Sequence, residues 1–300
     1  MRLQNLLLLS SSSLLLTACG GGGGSATLAS FSSWSALQPS TTVSISGTSQ
    51  AGNYTWNSGT NRLTSRTLGS SSSGATYTAT YNSSGALETA TMTPAGASSL
   101  TWSRAAGDTF GVLIANNNVD AVVSADNTRY ALAANPYAFG WDYQSYGLWD
   151  SETGTESGSF GSMSIGASTA GPNIPTSGSA TFTGNSGGRY ASATGESFFT
   201  SSTMTAAVNF VTRSVAFSTA STETSPDLGS FTTNNSLNMS GTLSYGSASN
   251  QITGTVITTG GQSGSVSAVF YGPSAQEIGG NFAVTGSGLE VYAGSFGGKR

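Results

Sequence analysis

The 300-residue sequence contains no histidine. Ser-His-Asp and Cys-His centres are therefore excluded, as is a zinc site built on H-E-x-x-H. Haem could not be held through histidine, which leaves Tyr or a methionine such as Met163 for that task. The phosphate-loop pattern G-x-x-x-x-G-K-[ST] does not occur. Charge is nearly as scarce. Asp, Glu, Lys and Arg make up 7% of the chain, against about 25% in ordinary soluble domains. Lys299 is the only lysine. With a formal charge of −4 and no basic stripe to neutralise phosphates, nucleic acid is not an expected partner. The one local acidic group is Asp150, Glu152 and Glu156. Its Gly154 is misplaced for an EF-hand loop and the closing Glu is missing, so the group reads as a solvated turn. The expectation is a protein that is not an enzyme, with no metal and no cofactor.

Long apolar runs are also missing. The stretch Leu6–Leu16 is interrupted by Ser10–Ser13 and falls short of the ~20 residues a spanning helix needs. A single positive charge at Arg2, an apolar stretch and small residues before a cut describe a secretory signal peptide over residues 1–18. Leu16-Thr17-Ala18-Cys19 resembles the lipobox of bacterial lipoproteins, and Cys19 is the only cysteine. The resemblance implies cleavage before Cys19, acylation of its thiol and a covalent lipid anchor. Gly20, where an aspartate would retain the protein in the inner membrane, implies the outer membrane and a surface-directed lipoprotein. Residues 19–27, glycine-rich from Gly20 to Gly24, read as a flexible tether.

Aromatic residues at 10% and hydrophobic residues at 37% argue against disorder in this Gly/Ser/Thr-rich chain. From Val43 onward apolar and small polar residues alternate between turn clusters, the pattern of strands with one buried face. Tyr77–Tyr81, Ala86–Met92, Leu100–Trp102, Phe110–Ala115, Val119–Val123 and Tyr130–Ala133 are such segments. The pattern lapses over Gly166–Gly178, which holds Pro172 and Pro175, and a domain boundary is placed there. Strands then resume: Ser179–Thr183, a run from Met204 to Ser218 with a turn or bulge at Arg213, Met239–Tyr245, Ile252–Ile257, Val266–Tyr271, Ile278–Val284 and Leu289–Phe296. Hairpin spacing over these segments suggests a closed up-and-down barrel, since closure removes exposed edges. A membrane barrel would need a larger apolar band than Ser, Thr and Gly supply. The fold class is all-β: a strand-rich domain over residues 28–170, then a soluble antiparallel barrel of about eight strands over 176–300.

The barrel segment carries a resemblance. Phe270-Tyr271-Gly272-Pro273, then Ala275-Gln276-Glu277 and Gly279-Gly280-Asn281-Phe282, resembles the hallmark of transferrin-binding protein B, in which F-Y-G-P is followed by A-x-E, paired glycines and an aromatic. Phe296-Gly297-Gly298-Lys299-Arg300 is similar to that family's closing F-G-x-K-R, and Gly178–Gly184 to its opening strand. In structural terms Phe270 and Phe282 are expected inside the barrel, Gly272-Pro273 at a tight turn, and Gly279 and Gly280 where strands curve.

Upstream, Phe139–Trp149 is the densest aromatic run, and its Tyr146-Gly147-Leu148-Trp149 resembles segments in the handle domain of smaller relatives. Trp141, Tyr143, Tyr146 and Trp149 are the candidate ligand-binding residues, because Trp and Tyr join contact area to a polar handle. The same alternation fits a core strand, with Trp141, Tyr143 and Ser145 on one face and Tyr146 on the other. The resemblance implies binding of a host protein or a small solute, with a partner outer-membrane transporter, in iron or nutrient acquisition. A structural or adhesive envelope lipoprotein is the alternative. A pocket with convergent polar groups would favour capture, and a filled barrel beside a featureless handle the structural role.

Overall fold

Segments rich in Thr, Ser and Val pair into two sheets in this computed structural model, which describes residues 8–9, 27–113 and 116–300. Cys19 and most of the signal segment lie outside the described residues.

The first sheet begins with β1 (Thr27–Ser30), which runs parallel to the start of β2 (Thr41–Asn57). β3 (Arg62–Leu68) makes a hairpin with the far end of β2. β4 (Ser72–Tyr81), β5 (Leu87–Thr93) and β6 (Leu100–Ser103) extend the sheet on one side of β2. On the other side stand β7 (Thr109–Leu113), β8 (Asn116–Val123), β9 (Arg129–Ala134), β10 (Gln144–Gly154) and β11 (Ser157–Gly166), giving the order β7-β8-β9-β10-β11-β2-β4-β5-β6. The pair Leu8–Leu9 adds to the outer edge of β7, and β6 and β7 are consecutive in the chain, joined by a 3-10 turn at Arg104–Ala106. Asp108 braces this seam, accepting from Ser103 N at 2.8 Å and Ala125 N at 2.9 Å. The sheet thus curls almost into a barrel around Val43, Ile45, Trp102, Phe110 and Trp149.

The second sheet closes completely. β12 (Ser179–Ala191), β13 (Ser197–Asn209) and β14 (Ser214–Ser225) are followed by the two-residue β15 (Thr232–Thr233) and then β16 (Met239–Ser244). β17 (Ile252–Thr258), β18 (Ser263–Tyr271), β19 (Glu277–Thr285) and β20 (Val291–Lys299) complete it. β13 pairs with β14 and β20 returns to β12, so β12–β14 and β16–β20 form an eight-stranded antiparallel up-and-down barrel. The run from Met204 is divided between β13 and β14 by a turn at residues 210–213, where Arg213 takes a φ of 56°.

Eight strands leave an interior that side chains just fill. Here Phe270 sits between Phe182, Phe210 and Tyr245, with ring centroids 5.8, 6.1 and 5.4 Å away. Phe282 packs on Tyr292, and Phe217 on Phe296. Along β17 Ile252 and Val256 are buried, while Thr253 and Thr255 face solvent. An apolar interior and a Ser/Thr exterior reverse the pattern of a membrane barrel. No helix among the described residues is long and apolar enough to cross a membrane.

Between the sheets, residues 167–178 are pinned to the barrel. Thr169 N donates to Phe270 O and its hydroxyl to Gly272 O, and Ile174 enters the barrel core. One helical turn, α1 (Pro136–Phe139), has no counterpart in the sequence reading. Its cause is local: Asn135 Oδ1 accepts from Tyr137 N and Ala138 N, and Pro136 fills the first helical position.

Candidate functional site

The aromatic run does not act as one surface. The structure divides Trp141, Tyr143, Tyr146 and Trp149 among three environments. β10 starts only at Gln144, after a bend at Asp142 and Tyr143, so face alternation does not continue back to Trp141. Trp141 and Tyr146, expected on opposite faces, lie together with ring centroids 5.7 Å apart, and Phe139 stacks on Trp141 at 4.6 Å. Trp149 is buried in the core of the first sheet. Tyr143 lies against Gly272, where a Cβ would come within 2.7 Å of its ring.

The backbone of this segment, at Asp142, Tyr143 and Gly147, takes part in the contact between the two sheets. Glu277, the acid of the A-x-E segment, accepts from Asp142 N at 2.7 Å and Tyr143 N at 3.0 Å. Ser164 and Tyr271 share a hydrogen bond between hydroxyls at 2.9 Å. Asn281 donates to Thr48 Oγ1 at 2.8 Å and accepts from Ser162 Oγ at 3.0 Å, and all three are buried. Ser295 Oγ donates to Gly147 O at 2.8 Å. The expectation for Gly279 and Gly280 is met in part. A Cβ on Gly280 would strike Ser267 O and Ala268 within the barrel, whereas one on Gly279 would lie 2.8 Å from Ser164 Oγ of the other sheet. Gly297 likewise leaves room for the Gln144 side chain, which is fully buried and makes no hydrogen bond through its amide.

Asp150 is a correction. It is not a turn residue in solvent but a buried member of β10, and Tyr54 Oη donates to its Oδ1 at 2.8 Å. Burial pushes this carboxyl up, with Arg189 and the Tyr54 hydrogen bond pulling the other way. Glu156 is exposed and accepts from Ser58 N and Ser58 Oγ. Among the described residues no group of three or more metal-ligating side chains converges.

A cavity of about 150 Å³ lies inside the first sheet. Its walls are apolar and aromatic, with Trp34, Tyr77, Tyr81, Trp102, Phe110 and Met163 among them. Among the described lining residues Asp120 is the one acid and Arg104 the one base. Asp120 lies on β8, paired with Ala133 of β9, and accepts from Asn135 Nδ2 at 3.2 Å. Burial raises its carboxyl to about 6, opposed by the Asn135 hydrogen bond. Its field in turn raises the hydroxyls of Tyr77 and Tyr81, beyond the effect of their own burial. Tyr137 Oη, at the same cavity, donates to Trp34 O at 3.1 Å. The sequence reading missed this site. Of its four candidates, Tyr146 is among the lining residues and Trp141, Tyr143 and Trp149 are not. The available signal was Asp120, a lone acid at an inward position of an otherwise apolar strand, Val119–Val123.

Residues 174–300 match the family model described as the C-lobe and N-lobe beta barrels of Tf-binding protein B. The barrel is transferrin-binding-protein-B-like. That match covers the second sheet and its approach, with the segments Gly178–Gly184, Phe270–Phe282 and Phe296–Arg300, and it does not reach Tyr146–Trp149. No curated protein matches the chain. Among solved structures, transferrin binding protein B from Haemophilus parasuis Hp5 is 13% identical, with 85% of this chain and 76% of that one covered and a TM-score of 0.43. A protein described as a surface lipoprotein is 12% identical over 84% of this chain and 98% of its own, at a TM-score of 0.41. The isotype 1 protein from serogroup B Neisseria meningitidis is 15% identical over 77% and 59%, at 0.40. These whole-chain superpositions are loose, and the barrel assignment rests on the family model and the closed strand order.

Proposed function

We propose that this is a lipid-anchored binding protein of the bacterial outer membrane, in which the first sheet acts as a handle that captures a small solute and the barrel is its rigid platform. One observation carries the reading: the handle core is hollow and the barrel core is packed with aromatic side chains. Ligand sites are concave, largely apolar and furnished with a few polar groups, and Asp120, Asn135 and the tyrosines supply those groups. Cavities of about 150 Å³ hold molecules of benzene size, and drug-sized ligands need at least ~300 Å³. Haem is larger still, so a compact solute is favoured over haem. Acylation at Cys19 would attach the protein to the membrane and the glycine tether would let it stand clear of the surface.

A host protein is the second reading, favoured by the barrel's match to Tf-binding protein B. Transferrin binding is named for the solved relatives from Haemophilus parasuis and Neisseria meningitidis. For this chain a host partner, a cooperating outer-membrane transporter and a role in iron or nutrient acquisition are proposals of the same reading.

The test is native mass spectrometry of the mature protein released gently from its own cells. A reproducible added mass that disappears on denaturation supports solute capture and gives the ligand's size. Bare protein together with specific retention of a host protein would favour the second reading.

A further inference from the structure

We infer that the handle cavity takes a small organic cation: an ammonium group set against Asp120, on a body of about benzene size that packs on the aromatic walls. The inference rests on the reading of the handle as the solute-binding part and assigns the chemical class of its ligand.

Three observations lead to it. The first is the placement of Asp120. It sits on an inward position of β8, facing a cavity whose other walls are mostly aromatic and aliphatic, with Arg104, Asn135 and Ser145 as the other polar side chains that line it among the described residues besides the tyrosines and tryptophans. A carboxylate in such surroundings has lost water and needs a compensating partner. The amide of Asn135 gives one neutral hydrogen bond at 3.2 Å.

The second is the whereabouts of the cavity's own cation. The Arg104 guanidinium lies over the Phe110 ring, 4.9 Å from its centroid, and its Nε donates to Leu87 O at 2.7 Å. Among the described residues no ion pair joins Arg104 to Asp120. The acid and the base of this cavity therefore do not neutralise each other, and the negative charge is left to a ligand. At neutral pH, above the value of about 6 to which burial raises it, Asp120 is ionised and carries that charge.

The third is the character of the walls. Ring faces attract cations, and aromatic side chains around a carboxylate are the usual means of holding an ammonium head away from water. Tyr77 and Tyr81 lie close enough to Asp120 for its charge to shift both hydroxyls, and Trp34 and Trp102 line the same space. A neutral solute would leave the half-buried carboxylate uncompensated, and an anion would be repelled by it.

The test uses the mature full-length chain and three probes of nearly equal bulk: benzylammonium, benzyl alcohol and benzoate. Affinities are measured by titration calorimetry at pH 7.5 for the natural protein and for Asp120→Asn. The expected result is that benzylammonium binds at least tenfold more tightly than benzyl alcohol. In Asp120→Asn that preference should fall below about twofold while the affinity for benzyl alcohol is retained, which shows that the cavity is intact. Equal binding of the cation and the alcohol, or tightest binding of benzoate, would overturn the cationic assignment and leave the handle as a solute site. Failure of all three probes to bind the natural protein would overturn both.

Discussion

Glu277 of the barrel accepts the backbone N–H of Asp142, in the handle, at 2.7 Å. The contact joins the family signature to the aromatic run, two features that in the sequence stand more than a hundred residues apart. The signature is therefore more than a barrel motif. Phe270 and Phe282 point inward to fill the barrel, while Tyr271, Glu277, Gly279 and Asn281 serve the seam with the handle. Glu277 also receives Tyr143 N, and burial raises its carboxyl despite these bonds. Glu277→Ala would leave two backbone donors without their acceptor, at a cost of about 2–4 kcal/mol. Urea unfolding should show that loss, with a reduced near-ultraviolet signal from Trp141.

Gln144 predicts the opposite sign. Its amide is fully buried against Gly297 and makes no hydrogen bond. An unsatisfied buried polar group costs about 1–3 kcal/mol, so the near-isosteric Gln144→Met should stabilise the protein by a similar amount. Thermal unfolding is the measurement, and an unchanged or lower midpoint would show that the amide is satisfied in solution.

Asp120 predicts a pH dependence. The ordinary aspartate value of 3.8 is raised to about 6 in the folded protein, so between those values the folded state keeps a proton that the unfolded state releases. Stability should therefore fall as pH rises from about 4 to about 6, by roughly 3 kcal/mol, and level off above that. Around Asp120 stand Asn135 and the hydroxyls of Tyr77 and Tyr81, which stay protonated throughout, and Arg104 lines the same cavity. Asp126, held near 2 by Ser124 and Thr128, contributes stability that is lost only as pH falls from about 4 to about 2. Comparison of Asp120→Asn with the natural protein removes that background. The two should unfold alike at pH 3.5, and the variant should be the more stable at pH 7.

Filling the cavity gives a test of space alone. Ala133 lies on its wall, paired with Asp120 across β9 and β8. Ala133→Leu should abolish binding of benzyl alcohol by occupying the volume that the ligand needs. Thermal unfolding should change by less than about 1.5 kcal/mol, because the added methyl groups enter space already present.

The barrel was legible in the sequence because its alternation is nearly unbroken and its turns carry Gly, Asn and Pro at the required places. The turn expected at Arg213 is also found, with that residue at positive φ between two strands. The site was not legible. Aromatic density drew attention to Trp141–Trp149, yet density marks buried contact of any kind, and here it marks the seam between sheets. The bend at Asp142 and Tyr143 changed which residues share a face, and bends of that kind depend on a distant partner, Glu277. Asp150 looked like a solvated acid because its neighbours are Ser, Thr and Glu, while its partner, Tyr54, lies 96 residues away. The cavity itself arises from the curl of nine strands, and no local pattern reports a volume.

All five tryptophans of the chain precede residue 150, and only Trp34 and Trp102 line the cavity. Their indole N–H resonances therefore distinguish the handle cavity from the rest of the molecule. The decisive measurement is a nitrogen-15 correlation spectrum of the mature protein titrated with benzyl alcohol. The account predicts saturable shifts of the Trp34 and Trp102 indoles with Trp56 unmoved. Saturable shifts of Trp56 alone, or no shift at any indole up to the solubility of the probe, would contradict it.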